Sequence, residues 1–241
     1  GLVTVPLDIK LTEYELQSIL SDCEPTVMLV SKSLVEKAKK LQAMVPSIKT
    51  ILLMDEPSCT DEFTSIHMLP DKYNCKWRHR SSKSTALIIY TSGTTGAPKG
   101  VEISFQNMFA QLEGVKDALD SILGGKKVTV LSILPMNHLF EMTVGFSIFL
   151  SEGFSVYYAK SLKPKDILGI MREKRVEFMI VVPAFLKLLK AGIEKEIKNL
   201  PKFAQLMFKF IYHLAKFIPS YEVKKILFKK IHDKFGGNFM G

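Results

Sequence analysis

Between residues 90 and 101 the chain reads YTSGTTGAPKGV, which gathers four aliphatic hydroxyls, three glycines and one lysine into a short span. Gly93, Gly96 and Gly100 permit positive φ and close backbone approach. Thr91, Ser92, Thr94 and Thr95 add hydroxyl donors to the backbone N–H groups. Such a loop offers many donors to an anion with several oxygens, and Lys99 adds a charge that can neutralise one of them. The chemistry this suits is the binding of a phosphate chain. It is not a Walker A loop, because Pro98 precedes the lysine and Gly100 follows it, so GxxxxGK[ST] is not met.

A second group of chemistry-bearing residues lies in LPMNHLFE, residues 134–141. His138 opens an apolar run and is either a pocket residue or a helix-start histidine with a packing or capping role. Glu141 either orients His138 or sits in a structural ion pair. Cys23, Cys59 and Cys75 form no CxxC pair. His67 and His79 lie near two of them, but the spacings match no zinc motif, so no metal site is expected in this chain.

The elements that must position these residues follow from periodicity. Ala86–Ile89 form the apolar run of a buried strand, so the glycine-rich loop is expected to leave the end of a sheet strand. Ser104 is placed to cap a helix with the stripe Phe105, Met108, Phe109, Leu112, Val115 and Leu119. Upstream, Thr12 caps a helix carrying Leu16, Ile19 and Leu20, and strands are expected at 27–30 and 48–54, with a helix over 33–44 between them. Residues 55–84 are polar, broken by Pro57 and Pro70, and read as a long excursion or linker. Downstream, strands are expected at 128–134, 154–159 and 176–182, and helices at 138–150, from Pro164 to about Lys174, and from Pro183. This alternation favours parallel sheets with crossover helices. Gly236 and Gly237 mark a helix stop, and NFM after them reads as a further strand.

The 241 residues carry a net charge of +9 and are 47% hydrophobic, enough for a substantial core and incompatible with global disorder. From Lys187 onward there are twelve lysines, no arginine and four acids. Such a segment attracts phosphate, acidic lipid or a charged partner, or is simply a solvated lysine face. Phe203, Met207, Phe210, Leu214 and Phe217 follow the helical period, and VKKILFKKIHDKF is a second amphipathic run. These helices either pack on their own domain or lie on a membrane surface. No base-reading or stacking motif accompanies the lysines, so no nucleic acid is expected. No stretch approaches a membrane span. A cytoplasmic protein is the expectation, with peripheral membrane contact through the basic helices as the alternative to their packing on their own domain.

The ordered string YTSGTTGAPKGV resembles the phosphate-binding signature of the AMP-forming acyl-adenylating enzymes, the superfamily of acyl-CoA synthetases, nonribosomal adenylation domains and luciferase. The resemblance implies that Thr91, Ser92, Gly93, Thr94, Thr95, Gly96 and Lys99 bind the β- and γ-phosphates of ATP. One departure stands beside the loop: the family commonly has a histidine where this chain has Phe105. LPMNHLFE is similar to the Leu-Pro-x-x-His-x-x-Glu pattern of the long-chain fatty acyl-CoA synthetases, which implies that His138 and Phe140 shape the acyl or nucleotide pocket. VPAFLKLL, residues 182–189, looks like the family segment that follows.

The fold so implied is α/β, with parallel sheets flanked by helices on both faces, part of the large N-terminal domain of an acyl-adenylating enzyme. Residues 1–84 would be a partial first subdomain with a polar linker, and 85–241 an incomplete nucleotide- and acyl-binding subdomain. The family's mobile C-terminal domain and its metal-binding glutamate have no counterpart in these residues, so the chain alone is expected to be inactive. The implied reaction is activation of a fatty acid with ATP and Mg²⁺ to acyl-AMP and pyrophosphate, then transfer to CoA. A fatty acyl-AMP ligase, an aryl-CoA ligase or a non-catalytic docking fragment are the alternatives.

Overall fold

The computed structural model describes residues 2–69, 79–91 and 98–240. The chain divides into two units, Gly1–Phe109 and Ala110–Gly241. In the first, Thr12 caps α1 (Glu13–Cys23): its hydroxyl accepts from the Glu15 N–H at 3.2 Å while the Glu15 carboxylate accepts from the Thr12 N–H at 2.8 Å. This reciprocal pairing satisfies N–H groups that a helix start leaves without partners. The chain continues through β1 (Val27–Val30), a 3₁₀ turn, α2 (Val35–Met44), β2 (Thr50–Leu53) and β3 (Thr64–Ser65). The three strands form a parallel sheet in the order β1-β2-β3. Leu16 and Leu20 of α1, Ala38 and Leu41 of α2, and Val30, Ile51 and Leu53 of the strands close its core.

The first unit also holds an antiparallel pair, β4 (Thr85–Thr91) and β5 (Lys99–Ser104). Here the structure departs from the sequence reading, in which the loop runs from 90 to 101, no strand lies between it and the Ser104 cap, and strand pairing is parallel. Seven residues separate the two strands, whereas a parallel pair needs a crossover of a dozen or more, so the chain must return antiparallel. Ser104 then caps α3 (Phe105–Leu123) as expected: its hydroxyl accepts from the Asn107 N–H at 3.1 Å, and the Asn107 side-chain oxygen accepts from the Ser104 N–H at 3.0 Å.

The second unit is built on β6 (Thr129–Ser132), which β7 (Ser155–Tyr158) and β8 (Phe178–Ile180) flank on either side, all parallel. Successive β6 residues serve opposite faces, as strand geometry dictates. Val130 packs with Leu119, Leu123, Ile148 and Phe149, and Phe149 meets Phe154 edge-on at 5.3 Å. Leu131 packs on the other side with Ile167, Met171 and Phe185. Helices therefore cover both faces: α3 and α4 (Ile148–Ser151) one, α5 (Pro164–Glu173) and α6 (Pro183–Lys198) the other. The expected stripe of α3 is confirmed from Leu112 onward, while Phe109 is exposed.

Three further helices close the chain: α7 (Lys202–Ala215), α8 (Tyr221–Leu227) and α9 (Lys229–Lys234). Gly236 ends α9 with φ +86°, and a Cβ there would lie 2.7 Å from the Met171 carbonyl oxygen, so only glycine fits this stop. NFM forms no strand; the Met240 N–H instead donates to the Glu177 carbonyl at 2.7 Å. Among the described residues no helix is long and apolar enough to cross a membrane.

Candidate functional site

The antiparallel register of β4 and β5 places Thr91 opposite Lys99, and Tyr90 opposite Gly100. Directly opposed residues project to the same side of a pair, and neighbours to opposite sides. Thr91 and Lys99 therefore share one side of the hairpin, and both are exposed. Lys99 makes no ion pair with the described residues. Ser92, Gly93, Thr94, Thr95 and Gly96, named from sequence as phosphate-binding, lie outside the described residues.

On the other side, Tyr90 ties the hairpin to α1. Its phenol donates to the Asp22 carboxylate at 2.5 Å, beside the half-buried thiol of Cys23. Burial first, and then this hydrogen bond, push the phenol well above its usual range; burial likewise pushes the Cys23 thiol up. Gly100 has a different reason from the one the sequence suggested. Its φ is not positive. A Cβ there would come within 3.0 Å of Tyr90 Cζ and 3.1 Å of Ile88 Cγ2, so Gly100 is small because the Tyr90 ring lies across it.

In the second unit, His138 and Phe140 sit at the start of a helical run and both are exposed, Phe140 to 49%. The His138 N–H donates to the Pro135 carbonyl at 3.1 Å and its own carbonyl accepts from Met142. The run is not the continuous α-helix that the apolar pattern predicts. Glu141–Ser147 is a π-helix, and α4 follows it; such wide turns concentrate at functional sites. Glu141 points inward, is fully buried, and neither orients His138 nor joins an ion pair. Its Oε1 accepts from the Ser132 hydroxyl at the end of β6, and its Oε2 has no partner among the described residues. The carboxyl fills the space over Gly145.

The family model of AMP-binding enzymes matches residues 1–223. The chain belongs to the AMP-binding enzyme family. The chain is 34% identical over 161 residues to long-chain-fatty-acid–CoA ligase 4 of Saccharomyces cerevisiae, a match covering 64% of the chain and 23% of that protein. It is 23% identical to long chain acyl-CoA synthetase 8 of Arabidopsis thaliana, over 99% of the chain and 37% of that protein. Its fold matches a red-emitting luciferase of Phrixothrix hirtus with a TM-score of 0.65 at 20% identity, covering 76% of the chain and 46% of the luciferase. The chain thus spans between about a quarter and a half of the length of these relatives.

Sequence reasoning missed the residues that hold the site elements in place: Asp22, Tyr90, Ser132 and Gly145. Tyr90 opens the motif, and an isolated glycine inside an apolar helix is itself a signal. Asp22 and Ser132 carried none, because their roles arise from tertiary contact.

Glu141 makes a pH prediction. Burial pushes its carboxyl above the usual carboxylate range, against the pull of the Ser132 hydrogen bond. A group raised on folding contributes stability that is full below its unfolded value of about 4.3 and lost as pH rises through the folded one. Glu141→Gln keeps an acceptor for Ser132 and cannot ionise. Its stability relative to the unsubstituted chain should therefore rise from about pH 4 to pH 8. Urea unfolding across that range checks this; parallel profiles would show that the carboxyl does not titrate differently on folding.

Proposed function

We propose that the protein carrying this chain activates a long-chain fatty acid. A carboxylate oxygen attacks the α-phosphorus of ATP, the bond from that phosphorus to the oxygen bridging to the β-phosphate breaks, and pyrophosphate leaves. The CoA thiol then attacks the acyl carbon, and AMP departs with the proton taken up by solvent. Such transfers ask little covalent chemistry of the protein; positioning and charge neutralisation dominate. The observation that carries the proposal is the β4–β5 hairpin, which sets Thr91 and Lys99, the latter without an ion pair among the described residues, on one side at the two ends of SGTTGAP. That arrangement suits the departing pyrophosphate. Among the described residues no cluster of three His, Cys, Asp or Glu fits a metal ion, so no step is assigned through Mg²⁺, and CoA is assigned no residue.

The preference for a fatty acid is supported by the Leu-Pro-x-x-His-x-x-Glu string and by the named activities of the yeast and plant relatives. His138 and Phe140 would face the acyl chain or the adenine, and each methylene buried there would contribute about 0.8 kcal/mol. The test is acid-dependent exchange of pyrophosphate into ATP by the whole protein across a series of fatty and aromatic acids. Exchange that rises with fatty chain length, followed by acyl-CoA formation, is the expected result. Exchange with aromatic acids alone would make it an aryl ligase, and exchange without CoA thioester a fatty acyl-AMP ligase. No exchange with any acid would overturn adenylation.

A further inference from the structure

Three Lys-Phe pairs recur at a spacing of seven residues: Lys202-Phe203, Lys209-Phe210 and Lys216-Phe217. Seven residues are nearly two helical turns, so on α7 and its closing turn the three phenylalanines line up, with the three lysines in a parallel row beside them. Leu206, Met207 and Leu214 fall between the phenylalanines. All six apolar side chains are exposed, Phe203 and Phe217 to 76% and Phe210 to 61%. Among the described residues nothing buries the stripe.

The packed side of α7 is a different one. Phe208 meets Phe228 edge-on at 5.8 Å and Ala215 is buried. Gln205 reaches back to cap the end of α6, donating to the Lys198 carbonyl at 2.9 Å and the Leu200 carbonyl at 2.7 Å. α7 is therefore held in a fixed rotation that turns the Phe stripe and the lysine row outward.

The charge of this region decides what suits it. From Lys202 to Lys234 there are eight lysines and two acids, with no acid on α7 at all. Of the eight, Lys234 is paired, with Glu196. A second copy docked stripe to stripe would bring two lysine rows together, which like-charge repulsion opposes. A bilayer with anionic lipid meets both features: the stripe enters the acyl boundary while the lysines stay at the headgroups. The 14-residue α7 spans ~21 Å, sufficient to lie in the interface and too short to cross it.

We infer that α7 and its closing turn form an interfacial docking surface for anionic membranes, with the Phe203, Phe210 and Phe217 stripe inserted and the Lys202, Lys209 and Lys216 row on the headgroups. The inference is independent of the function proposed above, and its test needs no enzymatic activity. The chain is mixed with vesicles of phosphatidylcholine alone and of phosphatidylcholine with phosphatidylserine, then sedimented.

The expected result is binding to the phosphatidylserine vesicles that high salt releases, with little binding to the neutral ones. Phe210→Ser should weaken it roughly tenfold or more, and Lys209→Glu should also weaken it. Both side chains are exposed, and an unchanged circular dichroism spectrum verifies the fold. No sedimentation with phosphatidylserine vesicles, equal binding to both compositions, or an unaffected Phe210→Ser each overturns the inference. So does a lipid-free dimer in sedimentation velocity that Phe210→Ser dissociates, because a second copy then covers the stripe.

Discussion

Gly145→Ala is expected to lower the stability of the chain by about 3 kcal/mol, although alanine is ordinarily the better helix former by about 1 kcal/mol. The inversion comes from one side chain. The Glu141 carboxyl occupies the space over Gly145, so an added methyl overlaps it. Glu141 is fully buried and its Oε1 is bonded to Ser132, so the carboxyl can move only by giving up that bond inside the core. A buried acceptor or donor stripped of its partner costs about 1–3 kcal/mol. Shortening Glu141 to serine vacates the space, so Glu141→Ser/Gly145→Ala should lose far less than the two single losses combined, with a coupling of about 2 kcal/mol. Urea midpoints of the four proteins measure this. A Gly145→Ala chain as stable as the unsubstituted one would mean that the carboxyl relocates without cost.

That pair also shows where sequence reasoning stops. The α/β alternation, the strands β1, β2, β6, β7 and β8 and most helix starts were legible, because each rests on local features: the Thr12 and Ser104 caps, Pro164 and Pro183 at first helical turns, and apolar runs at 27–30 and 128–134. Strand β3 was not, because it falls inside the polar stretch 55–84 that reads as a linker. The π-helix was not, since an apolar run with one glycine looks the same whether its turns are α or π. What accompanies the wide turn is a tertiary contact, the tie from Glu141 to Ser132 across nine residues of sequence, which the pattern does not show. Strand β5 was missed because KGVEIS has no apolar run and buries none of its residues, and its partner pairing, not its composition, makes it a strand. At Gly100 the sequence suggested a positive φ, which the structure does not have. Its neighbour across the ladder is a large ring, and cross-strand neighbours are invisible until the register is known.

Lys99→Ala in the whole protein should lower kcat/KM for ATP in pyrophosphate exchange by about a hundredfold, close to 2.7 kcal/mol of lost transition-state stabilisation. The melting temperature should stay unchanged, because Lys99 is exposed and holds no ion pair among the described residues. Its charge is not committed to the fold, and the register with Thr91 fixes where its stem begins. The loss should fall on ATP and leave the KM for the fatty acid near its original value, since the proposed function sets the hairpin against phosphate and not the acyl chain. Lys99→Arg should recover part of the rate: it retains the charge but replaces a compact ammonium with a planar fork. Thr91→Ala, which removes a neutral hydroxyl from the same side, should cost nearer tenfold. An unchanged rate for Lys99→Ala at limiting ATP would detach the lysine from the phosphates. The hairpin would then serve only as a frame for the residues between its strands.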